Sequence, residues 1–82
     1  MERKKIIYEN AEFFGEVDEN DIPNGFGMMF YSDNSYYEGN FEMGKKNGGG
    51  EMHFFDKSSY DGQWSNDKPS GAGVYTNANG DV

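Results

Sequence analysis

Apolar and polar side chains alternate one by one through Tyr37-Glu38-Gly39-Asn40-Phe41-Glu42, and the alternation returns in Tyr60-Asp61-Gly62-Gln63-Trp64-Ser65. A period of two is strand spacing, with one face packed and the other wet. The partner segments read Gly25-x-Gly27-x-Met29-x-Tyr31, Gly48-x-Gly50-x-Met52-x-Phe54 and Gly71-x-Gly73-x-Tyr75. No stretch carries a helical period. Turn residues fall at matching places. Asp33-Asn34, Asp56-Lys57 and Asn79-Gly80 occupy one set of connections, Met43-Gly44 and Asn66-Asp67 the other, with Pro23 and Pro69 nearby. The prediction is an all-β, single-layer antiparallel meander of hairpins, open-ended.

The hairpins repeat. Nine of the 12 glycines stand in three columns: Gly15, Gly39, Gly62; Gly25, Gly48, Gly71; and Gly27, Gly50, Gly73. The period is about 23 residues, with one extra residue between Val17 and Gly25 in the first copy. Phe13, Tyr37 and Tyr60 stand two positions before the first column, and Val17, Phe41 and Trp64 two after it. Such a short fixed period marks an array whose copies share a core, with no lone active site expected. These columns and Tyr75 are the fold-defining positions.

Parity constrains the first set of connections. A two-residue loop would place Met29 and Tyr31 opposite to the face of Tyr37 and Phe41; an odd loop places all four together. Three-residue loops such as Ser32-Asp33-Asn34 are therefore predicted. Their third residue is left-handed, which Asn34 and Gly80 tolerate and Lys57 should find strained. In this register the strand glycines share a face with bulky rings, and each missing side chain leaves room for a neighbouring aromatic.

Composition changes the picture in two ways. Leu, Ile, Val and Phe supply few residues and the net charge is −8, which by composition alone reads as disorder. The periodic placement of seven Phe, six Tyr and one Trp overrules that reading. The acidic balance also argues against wrapping nucleic acid or lying on an anionic membrane, both of which need clustered Lys and Arg. The sole basic cluster, Arg3-Lys4-Lys5, precedes an apolar run too short for a signal peptide or membrane span. A soluble protein inside the cell, in nucleus or cytoplasm, is expected. With no cysteine there is no disulfide, thiolate metal site or cysteine nucleophile.

The pattern Tyr-x-Gly-x-aromatic, turn, Gly-x-Gly-x-aromatic resembles the MORN (membrane occupation and recognition nexus) repeat. In that division residues 1–12 form an N-terminal half-repeat, and 13–36, 37–59 and 60–82 form three repeats, the last cut off at its end. Ile7 to Phe13 align with Phe54 to Tyr60 in the half-repeat. Val82 stops one residue short of the next expected ring, so a longer parent protein is expected. Gly15-Glu16-Val17-Asp18, Ile22-Pro23-Asn24-Gly25-Phe26-Gly27, Tyr37-Glu38-Gly39-Asn40-Phe41, Lys46-Asn47-Gly48, Phe54-Phe55-Asp56 and Gly73-Val74-Tyr75-Thr76 further resemble the N-terminal MORN region of SET-domain histone-lysine methyltransferases. Gly49 and the basic start at Arg3 to Lys5 depart from that pattern. The resemblance implies a non-catalytic segment that helps recruit substrate or partner to an S-adenosylmethionine-dependent enzyme domain elsewhere in the parent. The alternative is a stand-alone MORN scaffold, ciliary, cytoskeletal or membrane-associated.

Candidate chemistry does not alter this reading. Asp18-Glu19-Asn20-Asp21 begins like a calcium loop, but Ile22 occupies a ligand position and the sixth-place glycine is missing, so a solvated acidic turn is expected. Asn47-Gly48-Gly49-Gly50 lacks the helix and the Lys-Ser/Thr of a phosphate loop. His53 is the lone histidine, expected exposed on the polar face with Glu51. No catalytic, metal or cofactor-binding residue is assigned. On the face away from the glycines, Phe14, Phe26, Phe30, Tyr36 and Phe55 make a candidate partner surface, for burial within the parent protein or for an extended peptide. Basic, lysine-rich protein segments are the partners the charge favours.

Overall fold

The computed structural model describes residues 2–79. Seven strands form one antiparallel sheet in chain order: β1 (Glu2–Ile7), β2 (Ala11–Val17), β3 (Pro23–Tyr31), β4 (Tyr36–Glu42), β5 (Lys45–His53), β6 (Ser59–Ser65) and β7 (Lys68–Thr76). The meander is the expected architecture, and no described residue is helical.

Turn lengths decide the faces. Tyr31 and Ser35 close the β3–β4 loop, so Ser32-Asp33-Asn34 is the predicted three-residue connection, and Phe54 and Ser58 close its counterpart between β5 and β6. Asn34 and Lys57 both have φ 75°. Gly80 lies outside the described residues. In each loop an aspartate, Asp33 or Asp56, accepts the backbone N–H of Ser35 or Ser58 at 2.9 Å and also its hydroxyl. These bonds favour the ionised form and hold both carboxyls below their ordinary range. Because lysine bears a Cβ cost in the left-handed region that glycine avoids, Lys57→Gly is expected to raise stability by about 0.5–1 kcal/mol, read by urea titration.

The other connections are two-residue turns, Met43-Gly44 and Asn66-Asp67, with all four residues at positive φ. The extra residue of the first copy lengthens its turn to Glu19-Asn20-Asp21, closed between Asp18 and Ile22. Asp18 Oδ1 accepts the N–H of Asn20 and of Ile22, so this carboxylate caps its own loop.

One face carries the core. Phe13, Val17, Met29, Tyr37, Phe41 and Trp64 are buried there. Phe13, Phe41, Tyr37, Trp64 and Tyr60 form an edge-to-face chain with centroids 5.1–5.4 Å apart, the arrangement that ring quadrupoles favour. Glycines of the first and third columns face each other across strands, as Gly15↔Gly27, Gly39↔Gly50 and Gly62↔Gly73. Phe13, Tyr37 and Tyr60 lie over Gly27, Gly50 and Gly73 where a Cβ would collide with the ring.

Three expectations need correction. The second-column glycines do not make room for rings: a Cβ on Gly71 meets nothing, and one on Gly48 meets Asn40 only at ordinary contact distance. They stand where the strand register shifts, at φ 109°, 92° and 71° for Gly25, Gly48 and Gly71, so conformation requires them. The half-repeat does not copy the later loop. The Tyr8 N–H donates to Ala11 O across a two-residue turn, Glu9-Asn10, where the alignment with Phe55-Asp56-Lys57 implies three residues, and Ile6 pairs with Phe13. The shorter turn reverses the parity of β1, so Ile6 packs on the core and Lys5 moves to the other face. His53, expected exposed, is half-buried, its ring stacked on Tyr36 at 4.5 Å.

Lys46 was not foreseen in this core. It occupies the position of Pro23 and Pro69, yet its Nζ lies 5.4–5.6 Å from the ring centres of Tyr31, Tyr37 and Trp64 and 3.8 Å from Asp67. Asp67 also accepts the Lys46 N–H at 2.7 Å. A lysine is tolerated here because ring faces and a carboxylate replace its water.

Burial also pushes the Tyr37 hydroxyl up to about 12. The neutral phenol is the folded form, so its contribution is complete below about pH 10 and is lost as pH rises through 12. A phenolate absorbance titration is expected to show the Tyr37 phenol ionising above its ordinary range, together with unfolding.

Candidate functional site

Strands β2 to β5 present a second face whose side chains alternate with the core residues. Register brings Phe30 opposite Tyr36 and Tyr36 opposite His53. Their rings, with Phe14, make a row that crosses the strands: Phe14–Phe30 at 5.9 Å edge-to-face, Phe30–Tyr36 at 5.9 Å stacked, and Tyr36–His53 at 4.5 Å stacked. Phe14 and Phe30 stay 43% and 39% exposed. Three of the five residues picked out from sequence thus lie together. Phe55 does not join them; it sits at a loop tip. Phe26 is set apart from the row, on the wall of a shallow groove of about 400 Å³.

That groove lies between β1 and β3. Phe14, Phe26 and Met28 line it above the backbone of Gly15 and Gly27, and Arg3 and Lys5 stand at its rim. Lys5 is 3.5 Å from Glu12 and lies over the Phe14 ring. Arg3 makes no ion pair among the described residues. Glu16 is held by accepting the N–H of Phe26 at 2.7 Å.

Farther along the same face, Glu38 pairs with Glu51 and Glu51 with Asp61, setting three carboxylates side by side across β4, β5 and β6. Like charges directly opposite one another destabilise a strand pair. Glu51 is 3.3 Å from His53 Nε2; Glu38 and Asp61 have no cationic partner among the described residues. Sequence reasoning missed this row and the basic groove, since neither is contiguous in the chain. His53, set aside as a lone histidine, ends the aromatic row. No described group of three or more His, Cys, Asp or Glu is arranged to hold a metal ion.

Comparison with protein families adds the decisive finding. The family model of the MORN repeat matches residues 15–36, 37–59 and 60–82. The chain belongs to the MORN-repeat family. The second and third matched MORN segments each contain a whole ring-over-glycine unit, Tyr37 over Gly50 and Tyr60 over Gly73, whereas Gly27 of the first is covered by Phe13, two residues before that match begins. No curated protein matches the chain. The MORN sheet offers an extended, mixed aromatic and charged surface.

Proposed function

We propose that this MORN sheet is a non-catalytic protein-interaction module whose second face receives a segment of a partner. The observation that carries this reading is the aromatic row of exposed Phe14 and Phe30 and half-buried Tyr36 and His53, running beside the carboxylates Glu38, Glu51 and Asp61. Exposed aromatic area favours a ligand that covers it, and uncompensated carboxylates favour one bearing Lys or Arg.

The finer reading is an N-terminal segment of a SET-type lysine methyltransferase, in which the module helps bring basic protein substrate to the catalytic domain. Its support is the resemblance described above through Gly15-Glu16-Val17-Asp18, Ile22 to Gly27 and Phe54-Phe55-Asp56, together with the net charge of −8. A pull-down on histone-like basic peptides tests both parts. Affinity is expected to fall by about an order of magnitude between roughly 50 and 300 mM salt. No binding, or binding indifferent to salt, removes the recruitment role.

A further inference from the structure

Net charge conceals a division of the second face. Its β1–β3 end carries Arg3 and Lys5 around an apolar groove, with Glu12 paired to Lys5 and Glu16, opposite Arg3, engaged by the Phe26 N–H, which leaves Arg3 as the cation without an ion pair among the described residues; its β4–β6 end carries Glu38, Glu51 and Asp61. The aromatic row joins the two ends and runs across the strands. A uniformly basic segment would gain at the carboxylate end and leave Arg3 uncompensated at the other.

We infer that this face takes one extended segment of another protein, laid across the strands, whose charge changes sign along its length: an apolar residue beside an acidic one over the groove, and Lys or Arg over the carboxylate row. This rests on the interaction role proposed above and specifies its ligand. Three features select that occupant.

The groove has apolar walls, Phe14, Phe26 and Met28, and a cationic rim in which Arg3 has no ion pair among the described residues. An apolar side chain with a neighbouring carboxylate complements both. At the other end the carboxylates face one another in register; Glu51 is 3.3 Å from His53 Nε2, while Glu38 and Asp61 have no cationic partner among the described residues. The lysines Lys45 and Lys68 sit beside the two-residue turns, at the far ends of their strands. The neutralising cation must therefore come from the ligand. Length agrees: strands lie about 4.8 Å apart, so β1 to β5 spans about 19 Å, which about six extended residues cover.

The test is a display selection with random eight-residue peptides on the intact chain, repeated on Arg3→Glu/Lys5→Glu and on Glu51→Lys, with thermal melts to verify that both variants stay folded. Expected pools from the parent chain have an apolar-acidic end and a basic end. Individual peptides should lose about tenfold in affinity to Arg3→Glu/Lys5→Glu and regain it when their acidic residue is changed to Lys. They should lose a similar factor to Glu51→Lys and regain it when their basic residue is changed to Glu. Pools that are basic throughout and indifferent to Arg3→Glu/Lys5→Glu overturn the sign change while leaving recruitment of basic segments standing. Pools with no enrichment overturn both.

Discussion

Three adjacent glycines will respond in three different ways to a single methyl group. Gly50→Ala is expected to cost about 3 kcal/mol, the upper end of what overpacking costs. Its Cβ would lie 2.6 Å from Tyr37 Cε1 and closer still to Cζ and Oη. The ring cannot withdraw, because Tyr37 is fully buried between Phe41 and Trp64 and donates its hydroxyl to Asn40 O at 2.9 Å. Gly48→Ala should cost about 1–2 kcal/mol for a different reason: the space is open, but φ is 92°. Gly49→Ala meets only Gln63 Nε2 at 3.8 Å and should gain about 0.4–1 kcal/mol through the unfolded chain. Thermal melts of the three variants check this. For a domain of this size Gly50→Ala should melt about 12–24 °C lower, and equal shifts at all three positions would refute the division of labour between space and conformation.

Tyr37→Ala is the second large effect, expected at about 3–5 kcal/mol, the range for deleting a buried ring. Small domains have total stabilities of about 5–15 kcal/mol, so this variant approaches global unfolding. Tyr37→Phe keeps the ring chain Phe13–Phe41–Tyr37–Trp64–Tyr60 and loses only the bond to Asn40 O, a cost of about 1 kcal/mol. The two sites should also couple. Once the Tyr37 ring is gone, the Cβ of Gly50→Ala has space to occupy, so the double variant should be about 2 kcal/mol more stable than the summed single effects predict. A double-mutant cycle by denaturant unfolding measures that term. Additive behaviour would mean that the ring does not press on the glycine.

Much of the fold was legible because its rules are local. Strand alternation around Tyr37 and Tyr60, the three-residue loops and the left-handed Asn34 and Lys57 all follow from the period of a strand and the handedness of a turn. Rings over Gly27, Gly50 and Gly73 followed from parity. Where locality failed, so did the reading. The repeat alignment set Tyr8-Glu9-Asn10 on the three-residue loop Phe55-Asp56-Lys57, but the tighter Glu9-Asn10 turn turns β1 over and packs Ile6, partly buried, against the core. The second-column glycines looked like the others in sequence, and only their backbone angles separate conformation from space.

The candidate surface was half legible. Alternation identified Phe14, Phe30 and Tyr36 as facing away from the core. It could not show that they stack in line with His53, that Phe26 walls a groove under Arg3 and Lys5, or that Glu38, Glu51 and Asp61 stand side by side. The amino-acid sequence by itself determined the hairpin array, its period and the two faces, because those depend on neighbours a few residues apart. Tertiary structure alone decided which charges and rings meet across the sheet and that Lys46 enters the core. Lateral register accumulates the length of every turn and the shift at every bulge, and one residue more or less in a turn reverses the face of each side chain beyond it.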